Sequence, residues 1–476
     1  MYINGKWRET NKKEEVRNPA TEELVGEVYV GGQKEAEEAI QAAHEAFKEW
    51  RAISGQERGN LLIKVAEEMR KAVDSIAEMI TKEMGKPISD ARREVISGAA
   101  YLEWYGEEAK RVYGEVLPPL DTKKHLMVIR QPVGVIGAIT PWNFPVSMIT
   151  RKLGPALAAG CTGVLKPAPS TPHCAIEIFR CFERAGLPAG VANLVIGDAE
   201  AIGKEMTSNP IVKKITFTGS TNVGKLLMRN AAEHVQKVSM ELGGHAPFIV
   251  FEDANLDDAV SAVVATKFKN SGQTCISTNR VYVQESILDE FSQRLAKSVA
   301  DIKVGDGMEE DTDMGPLVNE AALSKVEDQV AKAASSGASI VAGGKRKGDK
   351  GYFYAPTVLA NTTDDMSIAK EETFGPVAPI FSFKTEEEVV ERANNTQYGL
   401  MGYCFTEDLG RSMRMMYQLE YGMVGINDAA PIVPHAPFGG VKESGIGREG
   451  GTSGLHEFME EKFISIRSSA DMYPRS

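Results

Sequence analysis

Between residues 133 and 242, short apolar runs alternate with amphipathic stretches, and this alternation restricts the fold more than any other feature of the chain. The runs cover 133–139, 163–165, 192–196, 213–217 and 238–242, and segments of helical periodicity lie at 146–159, 173–185, 199–207 and 222–233. Strand-length runs separated by helix-length segments predict βαβ units and a parallel sheet. Ligands of such sheets sit at the carboxyl ends of the strands. The turns that follow the apolar runs are therefore where binding residues are expected.

The flanks read differently. Residues 1 to about 110 open on a strand-like piece and continue as packing helices at 33–50, 56–71 and 88–109, in which the sequence shows no chemistry. Residues 115–132 alternate around Pro118 and Pro119 and predict a projecting hairpin. A second mixed α and β region runs from about 244 to 443, with a charged stretch at 343–350 that reads as a solvated hairpin tip. The tail, Lys462 to Arg467, is a short alternating strand that must pair somewhere, on its own chain or on another.

Composition narrows the function. The formal charge of −12 over 476 residues disfavours nucleic acid and acidic membrane surfaces as partners. Five cysteines without a Cys-x-x-Cys pair fit reduced thiols better than disulfides or zinc, so no metal is expected. With no signal-like leader and no run of 18 apolar residues, a cytoplasmic protein that spans no membrane is expected.

Five places carry candidate chemistry. The turn after the first run, Thr140-Pro141-Trp142-Asn143-Phe144-Pro145, offers the Asn143 amide as a donor to an oxyanion, with the backbone N–H of Cys275 as its partner. Lys166 ends the next run, where its ammonium suits a ribose hydroxyl or a phosphate. Phe217-Thr218-Gly219-Ser220 opens a helix whose N-terminus can receive a pyrophosphate. That segment nearly matches the phosphate loop of nucleotide triphosphatases, but Leu226 stands where a hydroxyl for magnesium is needed. Glu241 closes the last run at an apolar strand end, as a general base with a raised pKa would.

The fifth place is Cys275. Apolar positions at Leu256, Ala259, Val260, Val263 and Val264 recur at helical spacing, and Ser271-Gly272 breaks the pattern. The thiol then falls on a loop, where a substrate can reach it. The polar flank formed by Gln273, Thr274, Ser277, Thr278 and Asn279 argues against a merely buried cysteine.

Together with Glu372-Thr373-Phe374-Gly375-Pro376 and Pro437-Phe438-Gly439-Gly440, these ordered segments resemble the NAD(P)-dependent aldehyde dehydrogenase superfamily from end to end. Met148 to Lys152 and Ser444 to Gly450 look most like the succinate-semialdehyde dehydrogenases within it. The resemblance implies an α/β fold with a Rossmann-like cofactor domain at 1–114 and 133–243 and a catalytic domain at 244–443. It also implies a small oligomerisation sheet from 115–132 and 458–476, in a homodimer or homotetramer.

By position, Cys275 matches the family's nucleophile, Glu241 its base and Asn143 its oxyanion donor. Trp142, Lys166, Ser170, Gly219, Ser220, Glu372 and Phe374 match cofactor-contacting positions, and Arg151, Lys269 and Phe438 match substrate positions. NAD or NADP is implied. Pro169 stands where strongly NAD-preferring relatives carry a glutamate that repels a 2′-phosphate, so NADP should be tolerated. Two positions depart from the succinate-semialdehyde pattern. Lys269 replaces an arginine, and Ile432 and Val433 stand where a serine is usual, which leaves lactaldehyde-like, aromatic and other short aldehydes open. A cysteine hydrolase using His245 or His435, or a non-enzymatic relative on the same fold, are the competing classes.

Overall fold

The computed structural model describes residues 1–469. The last part of the expected 458–476 segment, 470–476, lies outside the described residues.

The alternating region folds as its pattern requires. Strands Val135–Ile139, Thr162–Lys166, Ala192–Leu194, Val212–Thr218 and Lys237–Glu241 pair in parallel at the centre of an eight-stranded sheet. Helices Ser147–Ala159, Pro172–Ala185, Ala199–Ser208 and Thr221–Ala232 make the crossovers. Taken in chain order the five strands are arranged 3-2-1-4-5, so the connections reverse direction between Val135–Ile139 and Val212–Thr218. A crevice opens outside the carboxyl ends at such a reversal, and both the 140–145 turn and Gly219-Ser220 border it.

One sheet edge is supplied from far away in sequence. Gly445–Ile446 pairs antiparallel with Lys237–Glu241, setting Glu241 opposite Gly445. The hydrophobic cluster around this sheet runs up to Leu242 and resumes at Leu455, Phe458 and Met459.

A second, seven-stranded sheet is built from Ala246–Val250, Thr278–Gln284, Ser339–Ala342, Thr357–Ala360, Val377–Phe383, Met401–Phe405 and Met423–Ile426, and all but one pairing is parallel. Its central strands Ala246–Val250, Thr278–Gln284, Val377–Phe383 and Met401–Phe405 are almost wholly buried, as expected of a parallel sheet covered on both faces.

The 115–132 segment forms the hairpin of Glu115–Leu117 and Lys124–Pro132, and Met459–Arg467 adds to it antiparallel along its whole length. The tail strand thus pairs on its own chain. Its other edge has no strand partner among the described residues, and Phe463 is 60% exposed. In the charged 343–350 stretch, Arg346 pairs with Glu320 and Glu327 near the surface.

Candidate active site

Helix Leu256–Lys267 ends at Phe268, and three consecutive residues, Asn270, Ser271 and Gly272, then adopt left-handed backbone conformations with φ of 52°, 57° and 72°. For Asn and Ser that conformation costs free energy, so the surroundings must enforce it. The Ser271 hydroxyl donates to the Gly315 carbonyl at 2.8 Å, and a Cβ at Gly272 would stand 2.2 Å from the Gly375 carbonyl oxygen. Gln273 is sealed in place by accepting the Val318 N–H at 2.9 Å. Gln273, Ser277, Thr278 and Asn279 are all buried. That part of the polar flank packs inside the protein, while Thr274, Cys275 and Ile276 are half-buried, so Cys275 differs from the other four cysteines, all of which are buried.

A cavity reaches Cys275. It has a volume of about 310 Å³, and Arg151, Lys269, Phe438, Tyr403 and Ile432 line it together with Cys275. All three expected substrate residues thus share one space with the thiol. Burial pushes the Cys275 thiol up to about 12; Arg151 draws it down, and Glu372, Glu241 and Glu449 add to the rise. Neither His245 nor His435 lines the cavity. His245 is fully enclosed, with Nε2 2.9 Å from the Ala369 carbonyl oxygen.

Asn143 and Glu241 do not line this cavity. Asn143 Nδ2 donates to the Gln273 carbonyl at 3.0 Å, two residues before the thiol, while its Oδ1 finds no partner. Glu241, at the end of its strand, is 3% exposed with Oε2 unpartnered. Burial lifts its carboxyl well above the usual range, and the negative charge of Glu449 adds to this while Arg151, Lys152 and Arg448 oppose it. A Cβ on Gly439 would sit 2.9 Å from Glu241 Oε1, so glycine at that position leaves room for the carboxylate.

Arg151 lies on the buried helix Ser147–Ala159, with its guanidinium 3.9 Å from the Phe438 ring centroid and its Nη2 without an acceptor. Glu449 pairs with Arg151 Nε at 2.8 Å and with Lys152 Nζ at 2.6 Å. Burial opposes charge on Glu449, but Lys152 and Arg151 outweigh it and hold the carboxyl below its ordinary value. Lys269 is exposed at the cavity wall.

The expected cofactor residues gather at the crevice. Lys166 is buried, and its ammonium donates to the Pro167 carbonyl at 3.0 Å; burial lowers its pKa to about 8. Thr218 Oγ1, at the end of Val212–Thr218 and separated from the Lys166 strand by Val135–Ile139, has no partner among the described residues. Ser220 caps helix Thr221–Ala232 by accepting the Val223 N–H. The Gly219 N–H is already donated to the Glu241 carbonyl at 3.0 Å, which leaves the helix N-terminus beyond it as the anion-receiving group. Glu372 accepts the Gly244 N–H at 3.0 Å, and burial pushes its carboxyl up to about 7. Phe374, at φ 52°, packs edge-on against Trp142 with ring centroids 5.7 Å apart. Pro169 is exposed and Ser170 half-buried. A buried ammonium with spare donors, an orphaned hydroxyl and a capped helix start at a strand-order reversal fit the ribose and phosphate groups of a dinucleotide.

The sequence reading found no chemistry before residue 110, and here the structure corrects it. Helix Ile88–Glu108 supplies Asp90, Arg93, Glu94 and Tyr101 to the cavity wall, and Lys86 stands just ahead of it. These residues are scattered along a helix whose pattern signals only packing. Glu449 was visible within a motif but had no role until its two cationic neighbours came together.

Comparison with known proteins agrees with this geometry. The profile described as "Aldehyde dehydrogenase family" matches residues 7–464. The chain is 47% identical to a glutarate-semialdehyde dehydrogenase of Pseudomonas aeruginosa, covering 98% of this chain and 97% of the relative. Identity is also 47% to an NADP succinate-semialdehyde dehydrogenase of Escherichia coli K12, with the same two coverages. Among solved structures, a succinate-semialdehyde dehydrogenase from Burkholderia pseudomallei superposes with a TM-score of 0.97 at 48% identity, covering 98% of this chain and 97% of that one.

Proposed function

The chain belongs to the aldehyde dehydrogenase family, and from that premise we propose that it oxidises a short aldehyde bearing a distal carboxylate, succinate semialdehyde foremost, to the corresponding acid. The family works with NAD or NADP. One observation carries the substrate reading: the cavity that reaches Cys275 also holds Arg151, whose buried guanidinium keeps Nη2 without an acceptor among the described residues. A buried cation with an open donor favours an anionic group on the substrate.

In this reading the Cys275 sulfur attacks the aldehyde carbon and forms a thiohemiacetal. The Asn143 amide and the Cys275 backbone N–H hold the oxygen that becomes negative. A bound nicotinamide would supply the acceptor for the hydride of the thiohemiacetal carbon, and Cys275 would then hold the acyl group as a thioester. Glu241 takes a proton from the water that attacks this thioester, and the acid departs as the thiol is restored. Lys166, Ser170, Gly219, Ser220, Glu372, Phe374 and Trp142 would hold the dinucleotide, with Lys166 toward its ribose or phosphate oxygens. Arg151 and Lys269 would meet the carboxylate, and Phe438 would wall the chain between.

The same reading divides the chain into cofactor segments 1–114 and 133–243, a catalytic segment 244–443 and oligomerisation segments 115–132 and 458–476. Exposed Phe463 and Ile466 on the tail strand support a homodimer or homotetramer. Among the described residues no helix is long and apolar enough to cross a membrane. The five free cysteines support a cytoplasmic location.

The test is a panel of succinate semialdehyde, lactaldehyde, benzaldehyde and propanal, each with NAD and NADP, read as reduced-cofactor formation. Succinate semialdehyde should give the highest kcat/KM. A higher value for an uncharged aldehyde would end the carboxylate reading and leave the family assignment untouched.

A further inference from the structure

Lys86 and Glu94 form an ion pair at 2.5 Å with side chains 1% and 2% exposed. Taking two charges out of water costs several kcal/mol per ion before their attraction is counted, and a well-packed apolar pair often stabilises as much. Stability alone therefore does not account for the pair. Its remaining hydrogen bonds run to one place. Lys86 Nζ donates to the Asn143 carbonyl at 2.9 Å and lies 3.9 Å from the Phe144 ring centroid. Glu94 Oε1 accepts the N–H groups of Val146 and Ser147, at 2.9 and 3.2 Å, where helix Ser147–Ala159 begins. Asn270 Nδ2 donates to the same Asn143 carbonyl at 3.1 Å. The turn that carries Asn143 is thus gripped at its carbonyl and at the helix start that follows it.

We propose that the buried Lys86–Glu94 pair is a positioning device for Asn143, fixing the amide against the Cys275 loop so that it is in place when the oxyanion forms. This rests on the reading of Asn143 as the oxyanion donor. Neither Lys86 nor Glu94 need touch the reacting atoms. They act by preventing the turn from shifting, and displacements of about 1 Å at a reacting centre can cost about a hundredfold in rate.

Glu94→Gln separates positioning from folding. The amide oxygen can still accept from Val146 and Ser147, whereas its NH₂ group faces the Lys86 ammonium as a second donor and breaks the link. With the fastest aldehyde of the panel, Glu94→Gln should lower kcat by about tenfold or more. KM for aldehyde and cofactor, the melting temperature and the iodoacetamide reactivity of Cys275 should stay near the parent's. The loss should largely vanish when Glu94→Gln is placed on Asn143→Ala, because the residue being positioned is gone. Lys86→Arg, which keeps the charge, should retain more turnover than Lys86→Met.

Unchanged kcat in Glu94→Gln with an impaired Asn143→Ala would overturn the positioning role alone, as would full additivity in the double variant or a parallel fall of kcat, thiol reactivity and melting temperature. Parent-like turnover in Asn143→Ala would instead remove the oxyanion reading, and the positioning role with it.

Discussion

Arg151 Nε lies 2.8 Å from Glu449 Oε2, and this carboxylate takes Lys152 on its other oxygen. One buried glutamate therefore orients the cavity's guanidinium while its own charge stays balanced by two cations. The arrangement leaves one face of Arg151 free for an anion.

Replacing Arg151 by Met should leave the fold intact, because Lys152 still neutralises Glu449. It should lower kcat/KM for succinate semialdehyde by roughly ten- to a hundredfold, the range of about 1.5–3 kcal/mol for a hydrogen bond to a charged group. The value for propanal should change far less. Steady-state rates on both aldehydes decide this, and an equal loss on both would return Arg151 to a structural role.

The thiol gives a pH signature. With burial pushing Cys275 up to about 12, only the small thiolate fraction reacts at neutral pH. Alkylation by iodoacetamide in the cofactor-free protein should rise about tenfold per pH unit from 7 to 10 without a plateau. Cys275→Ala should show no such reaction and no turnover, yet bind the cofactor. A plateau near pH 8 would contradict the burial effect.

Glu241→Gln should preserve the pre-steady-state burst of reduced cofactor and slow the steady state by about 10² or more, the range for a lost general base. Since the Glu241 carboxyl is held well above its usual range, its base form accumulates as pH rises, so the parent's steady-state rate should climb with rising pH. Loss of the burst in stopped-flow absorbance would mean that Glu241 acts earlier than thioester hydrolysis.

Cofactor affinity should fall at alkaline pH. Lys166 has its pKa lowered to about 8 by burial, so its positive charge is present below pH 8 and lost above it. If it meets ribose or phosphate oxygens, the Kd for NADP should rise as pH passes through 8. Fluorescence titrations between pH 6.5 and 9.5 should show this in the parent, and a weak, flat profile in Lys166→Met.

Phe463→Lys should disrupt assembly without harming the protomer, since Phe463 lies on an edge strand and is 60% exposed. Sedimentation velocity should show a shift toward monomer. An unchanged sedimentation coefficient would locate the interface elsewhere.

Sequence periodicity was enough for the parallel strands and their crossovers, because a strand buried on both faces must read as an apolar run. The seven-stranded sheet was outlined only coarsely, its strands being spread among longer loops. Cys275, Arg151, Lys269 and Phe438 could be named from motifs, and they meet in one cavity. Lys86 and Glu94 could not. Their importance lies in the carbonyl and N–H groups they reach across the fold, and no periodicity records a contact of that kind. The same is true of Glu449, whose meaning depends on Arg151 and Lys152, far away in sequence.

The pairing of Gly445–Ile446 with Lys237–Glu241 also bears on how the protein is made. As the chain leaves the ribosome, the thiol emerges well before Glu449 and before the strand that completes the first sheet. Until then Lys237–Glu241 presents an open edge, and Arg151 and Lys152 are buried or exposed without their counter-ion. Such long-range pairing is slow to form and invites association with other chains. A nascent chain stalled before Gly445 should consequently depend on chaperones and carry an unreactive site, so that the nucleophile is translated well before the residues on which its competence depends.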